Sequence, residues 1–90
     1  MLERDVEAAL VAAVKAAGGL AMKFTSPQRR SVPDRLVLMP GCAPVFVECK
    51  APGKKPTDAQ AREHARIWAA GGAVRIIDSI EGVRHFVGGL

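Results

Sequence analysis

Asp34, Glu48 and Lys50 are the residues of this 90-residue chain whose types and spacing suggest chemistry. Asp34 follows Pro33 just before a short apolar run, Leu36-Val37-Leu38-Met39, and Glu48 and Lys50 close the alternating run Val45-Phe46-Val47-Glu48-Cys49-Lys50. Charged groups inside β-branched runs break the local pattern, and such breaks concentrate at functional sites. Two carboxylates brought together repel, so one takes up a proton unless a cation lies between them. A divalent metal is one candidate cation, and Lys50 is the other. A hard ion such as Mg²⁺ takes one or two protein carboxylates, keeps several waters and recruits phosphate oxygens as further ligands. Bound there it would polarise a phosphodiester and lower the pKa of an attacking water. Lys50 would orient that water or stabilise charge developing on the phosphate. Asp34 and Glu48 are the expected ligands, with the backbone carbonyl of Cys49 within reach of the same ion. Glu7 could add a ligand through water or hold a second, weaker ion.

These residues need a hairpin to meet. With residues 40 to 44 as the turn, Met39 faces Val45, Asp34 lies opposite Lys50, and Asp34 sits diagonally from Glu48 at roughly 5–8 Å. A slip of one residue would move Asp34 to the other face of the sheet. Upstream, residues 2 to 17 have helical spacing, with Leu2, Val6, Leu10, Val14 and Ala17 on one face, Glu7 at its margin and Gly18-Gly19 as the stop. Residues 20 to 25 alternate and form a first strand, with Lys23 on the face opposite Leu20, Met22 and Phe24. Thr57-Asp58-Ala59-Gln60 is a Thr-x-x-Gln capping box that opens a second helix. Its expected buried stripe is Ala61, His64, Ala65 and Trp68, with Trp68 in the core. Gly71-Gly72 ends that helix, residues 73 to 78 form a further strand, and Asp78-Ser79 caps a short last helix carrying Ile80, Val83, Phe86 and Val87. The expected architecture is a single α/β domain over residues 1–90: helix, three-strand antiparallel meander, helix, a strand joining in parallel, and a short C-terminal helix.

Two basic loops flank the proposed site. Residues 26 to 33 carry Arg29 and Arg30 and arrive at Asp34, while residues 51 to 56 carry Lys54 and Lys55 and leave from Lys50. Scattered, these charges would be an ordinary solvated face; converging, they form a rim suited to a phosphate backbone. Net charge is +4, which favours an anionic partner, and the 49% hydrophobic, 24% charged composition is that of a globular protein. No apolar run reaches the roughly 18 residues of a membrane span. Cys42 and Cys49 are too few and wrongly spaced for a disulfide framework or zinc site, and read as reduced thiols of a cytoplasmic protein. The absence of asparagine and tyrosine excludes an HNH-type site and any mechanism that needs a tyrosine. Four aromatic residues leave little material for a base-stacking platform. His64 and His85 lack metal-ligand spacing to another histidine or cysteine and read as helix-face residues.

Pro33-Asp34, thirteen intervening residues and Glu48-Cys49-Lys50 together resemble the motif of the PD-(D/E)XK nuclease superfamily with its restriction-endonuclease-like core. More narrowly, the chain resembles the VRR-NUC family, the virus-type replication-repair nuclease domain, over nearly its whole length. The similarity includes Glu7, Gly18-Gly19, Lys23, Pro33-Asp34-Arg35, Phe46-Val47-Glu48-x-Lys50 and Thr57-x-x-Gln60. One departure is Ser31, where the family tends to have glycine. The resemblance implies a DNA endonuclease dependent on Mg²⁺ or Mn²⁺, acting in replication or repair in a bacterial or phage-infected cell. It implies branched DNA such as a Holliday junction as substrate and a homodimer as the working form. Asp34, Glu48 and Lys50 would be catalytic, with Glu7 and Gln60 as outer members, though a helix cap alone also explains Gln60. Lys23, Arg29, Arg30, Arg35, Lys54 and Lys55 are the candidates for DNA backbone contacts. The alternative is a non-catalytic module whose basic loops dock it on nucleic acid.

Overall fold

The structure, a computed structural model, describes residues 1–90. The chain runs α1 (Glu3–Ala16), β1 (Leu20–Lys23), β2 (Arg35–Leu38), β3 (Val45–Cys49), α2 (Asp58–Ala69), β4 (Val74–Ile77) and α3 (Ile80–Gly88). The strands form one sheet in the order β1-β2-β3-β4, with the first three antiparallel and β4 parallel to β3. A parallel neighbour needs a crossover of about a dozen residues or more, and α2 with its flanking turns supplies it. This is the expected mixed sheet and element order.

Helices α1 and α3 cover one face of the sheet. Val6, Leu10 and Val14 recur every four residues, so they lie on one stripe of α1 and are fully buried against Val37, Val47, Cys49, Ile77 and Val83. Each such side chain contributes about 1.5–3 kcal/mol by leaving water. Leu2, expected on that stripe, instead precedes the helix and is exposed. The turn from α1 into β1 needs both of its glycines. Gly18 has φ +94°, and a Cβ on Gly19 would lie 2.5 Å from the Leu38 carbonyl oxygen.

The opposite face is only partly covered, because α2 packs over β3 and β4 and leaves β1 bare. Leu20 and Met22 of β1 are therefore 60% and 50% exposed, while Ala21, whose small side chain fits beneath α1, joins the core. Sequence alternation predicted two faces for β1 but did not say which one would be covered. The stripe of α2 is also rotated from the expected one. Glu63 and His64 are the buried positions, Ala61 and Ala65 face outward, and Trp68, expected in the core, is 49% exposed with the Arg75 guanidinium 5.6 Å from its ring centre.

The β2–β3 register differs from expectation by two residues. The observed pairs are Arg35↔Val47, Leu36↔Phe46 and Val37↔Val45, because the connection takes six residues, 39 to 44, with the Cys42 amide donating to the Met39 carbonyl at 3.0 Å. A shift of two preserves every residue's face. Carried one step further, the ladder sets Asp34 directly opposite Glu48 rather than diagonal to it.

Candidate active site

Glu48 lies between the sheet and α2. Its neighbours Val47 and Cys49 face the apolar core, so strand alternation turns Glu48 toward α2, where it is 1% exposed. A carboxylate this deep must be paired or lose its charge. Four groups surround it. Lys50 Nζ lies 3.5 Å from Oε2, Gln60 Nε2 donates to Oε2 at 3.3 Å, His64 Nε2 lies 3.5 Å from Oε1, and Asp34 approaches from β2. Asp34 is itself fixed by the backbone, its Oδ2 accepting a hydrogen bond from the Cys49 amide at 2.8 Å. That bond spans the point where the β2–β3 ladder runs out, so the side chain stands in for the missing strand partner and is aimed at the end of β3.

Burial, and then the Asp34 charge, push the Glu48 carboxyl up to about 7, against a smaller opposing pull from Lys50. Burial, followed by the Lys50 charge, holds His64 below the usual imidazole range, so it is neutral near pH 7. Burial above all, with Asp34 next, pushes the Cys49 thiol up to about 12, so Cys49 is an inert core residue. Glu48 Oε1 and His64 Nε2 are both buried without a hydrogen-bond partner. An orphaned carboxylate oxygen beside a second carboxylate suits a cation. No three His, Cys, Asp or Glu side chains cluster as a closed metal site. The available donors, two carboxylates and a nearby backbone carbonyl, fit an ion that completes its shell with water and phosphate oxygens.

Gln60 makes both the capping contacts and a contact to Glu48. Its amide N–H donates to Thr57 Oγ1 at 3.1 Å and its Oε1 accepts from the Thr57 amide at 2.9 Å, while its Nε2 reaches Glu48. Glu7 does not join the group. Arg35 follows Asp34 and so points to the opposite face of the sheet, where its Nε donates to Glu7 Oε2 at 2.7 Å and its Nη1 to the Ala21 carbonyl at 3.1 Å. Glu7 is thereby engaged as the partner of Arg35, and Arg35 is held by Glu7 and the Ala21 carbonyl. Arg29 is likewise paired, with Glu63 of α2. Arg30, Lys23, Lys54 and Lys55 are exposed. The loop carrying Lys54 and Lys55 is tied down where the Gly53 amide donates to Asp78 Oδ2 at 3.4 Å, and Ser79 alone caps α3. His64 is the site residue the sequence reading missed. Its position four residues after Gln60, one helical turn along the same face, was the available signal.

A sheet that sets an aspartate against a Glu-x-Lys strand end, with a glutamine from the crossover helix closing over it, is the core of the PD-(D/E)XK nuclease superfamily. No family model matches the sequence. The chain is 56% identical over 77 residues to "Putative nuclease p44" of Acyrthosiphon pisum secondary endosymbiont phage 1, covering 86% of this chain and 83% of that protein. It superposes on a solved structure described as "VRR_NUC domain" with a TM-score of 0.87 and 32% identity, over 96% of this chain and 94% of the other. The chain belongs to the VRR-NUC family.

Proposed function

We propose that this protein is a nuclease: a divalent-metal-dependent DNA endonuclease that hydrolyses phosphodiester bonds in branched DNA as a homodimer. The observation that carries the reading is Glu48, buried against Asp34 with one oxygen unpartnered. An arrangement this costly to fold has a role beyond stability. Asp34 and Glu48 would hold Mg²⁺ or Mn²⁺ together with the Cys49 carbonyl, and the ion would supply Lewis-acid polarisation of the phosphate and an activated water. Lys50, 3.5 Å from Glu48, orients the nucleophile or meets charge developing on the phosphate oxygens. Gln60 donates to the Glu48 carboxylate from α2, and neutral His64 walls its second oxygen. Arg30, Lys54 and Lys55 neutralise flanking phosphates, which positions the strand without reading its sequence.

One site cuts one strand, so paired incision of a symmetric junction needs two copies, and two-fold dimers are the commonest assembly. Leu20 and Met22, exposed on the uncovered face of edge strand β1, supply an apolar surface for such a pairing. The branched substrate is what the resemblance to the VRR-NUC family implies. A panel of labelled junction, flap and duplex DNAs incubated with Mg²⁺, Mn²⁺ or chelator tests the reading. Cleavage should need the metal, favour the junction, and vanish in Asp34→Ala and Lys50→Ala while their DNA binding is largely kept. Equal binding in chelator with no cleavage under any condition would leave a basic docking module instead.

A further inference from the structure

Beside the reacting centre, a cavity of about 340 Å³ is lined by Arg29, Arg30 and Ser31 from the loop before β2 and by Arg62, Glu63 and Arg66 from α2. It gathers four guanidinium groups against one carboxylate. Glu63 is nearly buried, and its oxygens grip one edge of Arg29: Nε donates to Oε1 at 2.8 Å and Nη2 to Oε2 at 2.9 Å. Arg66 Nε stands 3.8 Å from the same carboxylate. A guanidinium carries five N–H donors in a fixed planar fork. Glu63 occupies the Nε edge, leaving both N–H groups of Nη1 and one of Nη2 without a protein partner. The ion pair therefore does not silence Arg29; it fixes the plane in which the remaining donors are presented.

Resting on the reading of the chain as a DNA nuclease, we infer that this cavity is a second phosphate seat, in which Glu63 positions Arg29 to grip a backbone phosphodiester away from the scissile one. Arg30, Arg62 and Arg66 add charge around that phosphate. The placement suits a single strand crossing both sites, because Ser31 lies three residues before Asp34 and Glu63 adjoins His64, which faces Glu48. A planar fork meeting a tetrahedral anion gives two parallel charge-assisted hydrogen bonds, a geometry that a lysine cannot reproduce.

Binding of labelled duplex DNA in chelator, followed by anisotropy across a salt series, separates this seat from a merely positive surface. If charge alone mattered, Glu63→Ala would tighten binding, since it removes a negative group. A positioned Arg29 requires the reverse, a loss of roughly tenfold. Arg29→Lys keeps the charge and the pairing with Glu63 but offers no second edge, so it should lose a similar factor. Arg62→Gln combined with Arg66→Gln should lower the slope of log affinity against log salt by no more than about 0.9, since the seat holds one phosphate. Should Glu63→Ala fail to fold by circular dichroism, Arg29→Lys decides alone. Unchanged or tighter binding in Glu63→Ala, or unchanged binding in Arg29→Lys, would overturn the seat. Cleavage of DNA by the same preparation with Mg²⁺ would then leave the nuclease reading standing, whereas weakened variants of a protein that never cleaves would sink that reading and keep the seat.

Discussion

Replacing Glu48 with glutamine should stabilise the metal-free protein while destroying its activity. The Glu48 carboxyl is raised from its ordinary 4.5 to about 7, so holding it ionised in the fold costs on the order of 3 kcal/mol. The folded protein binds this proton more tightly than the unfolded chain. The cost is therefore absent below about pH 4.5, grows as pH rises, and is fully present above about 7. Glutamine has the same shape and no charge, and its amide can donate to Asp34. It forfeits the Lys50 pairing at 3.5 Å, but the pull of Lys50 is already contained in the net rise to about 7, so it takes nothing further from the gain. The net gain at pH 8 is then roughly 3 kcal/mol, or about 12–24 °C in Tm for a domain of this size.

Thermal unfolding of wild type and Glu48→Gln in chelator at pH 8 and pH 5 gives the readout. The variant should melt well above wild type at pH 8, and most of that difference should be gone at pH 5, where folded wild type already carries the proton. Millimolar Mg²⁺ should raise wild type at pH 8 and leave the variant unmoved, since a ligand that binds only the native state stabilises it. A variant less stable than wild type at pH 8, or a difference independent of pH, would refute the idea that a buried, crowded carboxylate is the source of the cost.

Metal affinity should fall about tenfold per pH unit below about 7, because the ion competes with the Glu48 proton; calorimetric titration of Mg²⁺ at pH 6 and pH 8 measures it, and equal affinities would contradict it. Ser31 has φ +64°, in the left-handed region that costs a side-chain-bearing residue about 1–2 kcal/mol, so Ser31→Gly should gain about 0.5–1 kcal/mol in denaturant unfolding after allowing for glycine's looser unfolded chain. Thr57→Ala should remove the side-chain cap of α2 alone, at about 1 kcal/mol, whereas Gln60→Ala keeps that bond, loses the return bond from the Thr57 amide and the bond to Glu48, and should also slow cleavage. Equal cleavage by the two variants would mean that Gln60 is only a cap.

The elements were legible because each is bounded by local chemistry: the Gly18-Gly19 stop, the Thr57 cap and the prolines at 27 and 33 act within a few residues. Asp34, Glu48 and Lys50 were also legible, because residues sharing a sheet face are set by a period of two, which survived the two-residue error in register. What failed depends on long-range coverage. Nothing local in Leu20-Ala21-Met22 says that α2 stops short of β1. The rotation of α2 that buries Glu63 and His64 and exposes Trp68 follows from polar partners supplied by Arg29 and Glu48, which lie on other elements. For Glu7, the partner was hidden for the same reason. Its position at the margin of the apolar stripe was read correctly, but the group that meets it there is Arg35.

The central claim is that Asp34 and Glu48 share one divalent ion. A crystal grown with Mn²⁺ and measured at a wavelength where manganese scatters anomalously would test it most directly. A single strong peak is expected within bonding distance of one Asp34 oxygen and Glu48 Oε1, and it should be missing in Asp34→Ala. Manganese bound elsewhere, or an empty gap between the two carboxylates at millimolar metal, would contradict it.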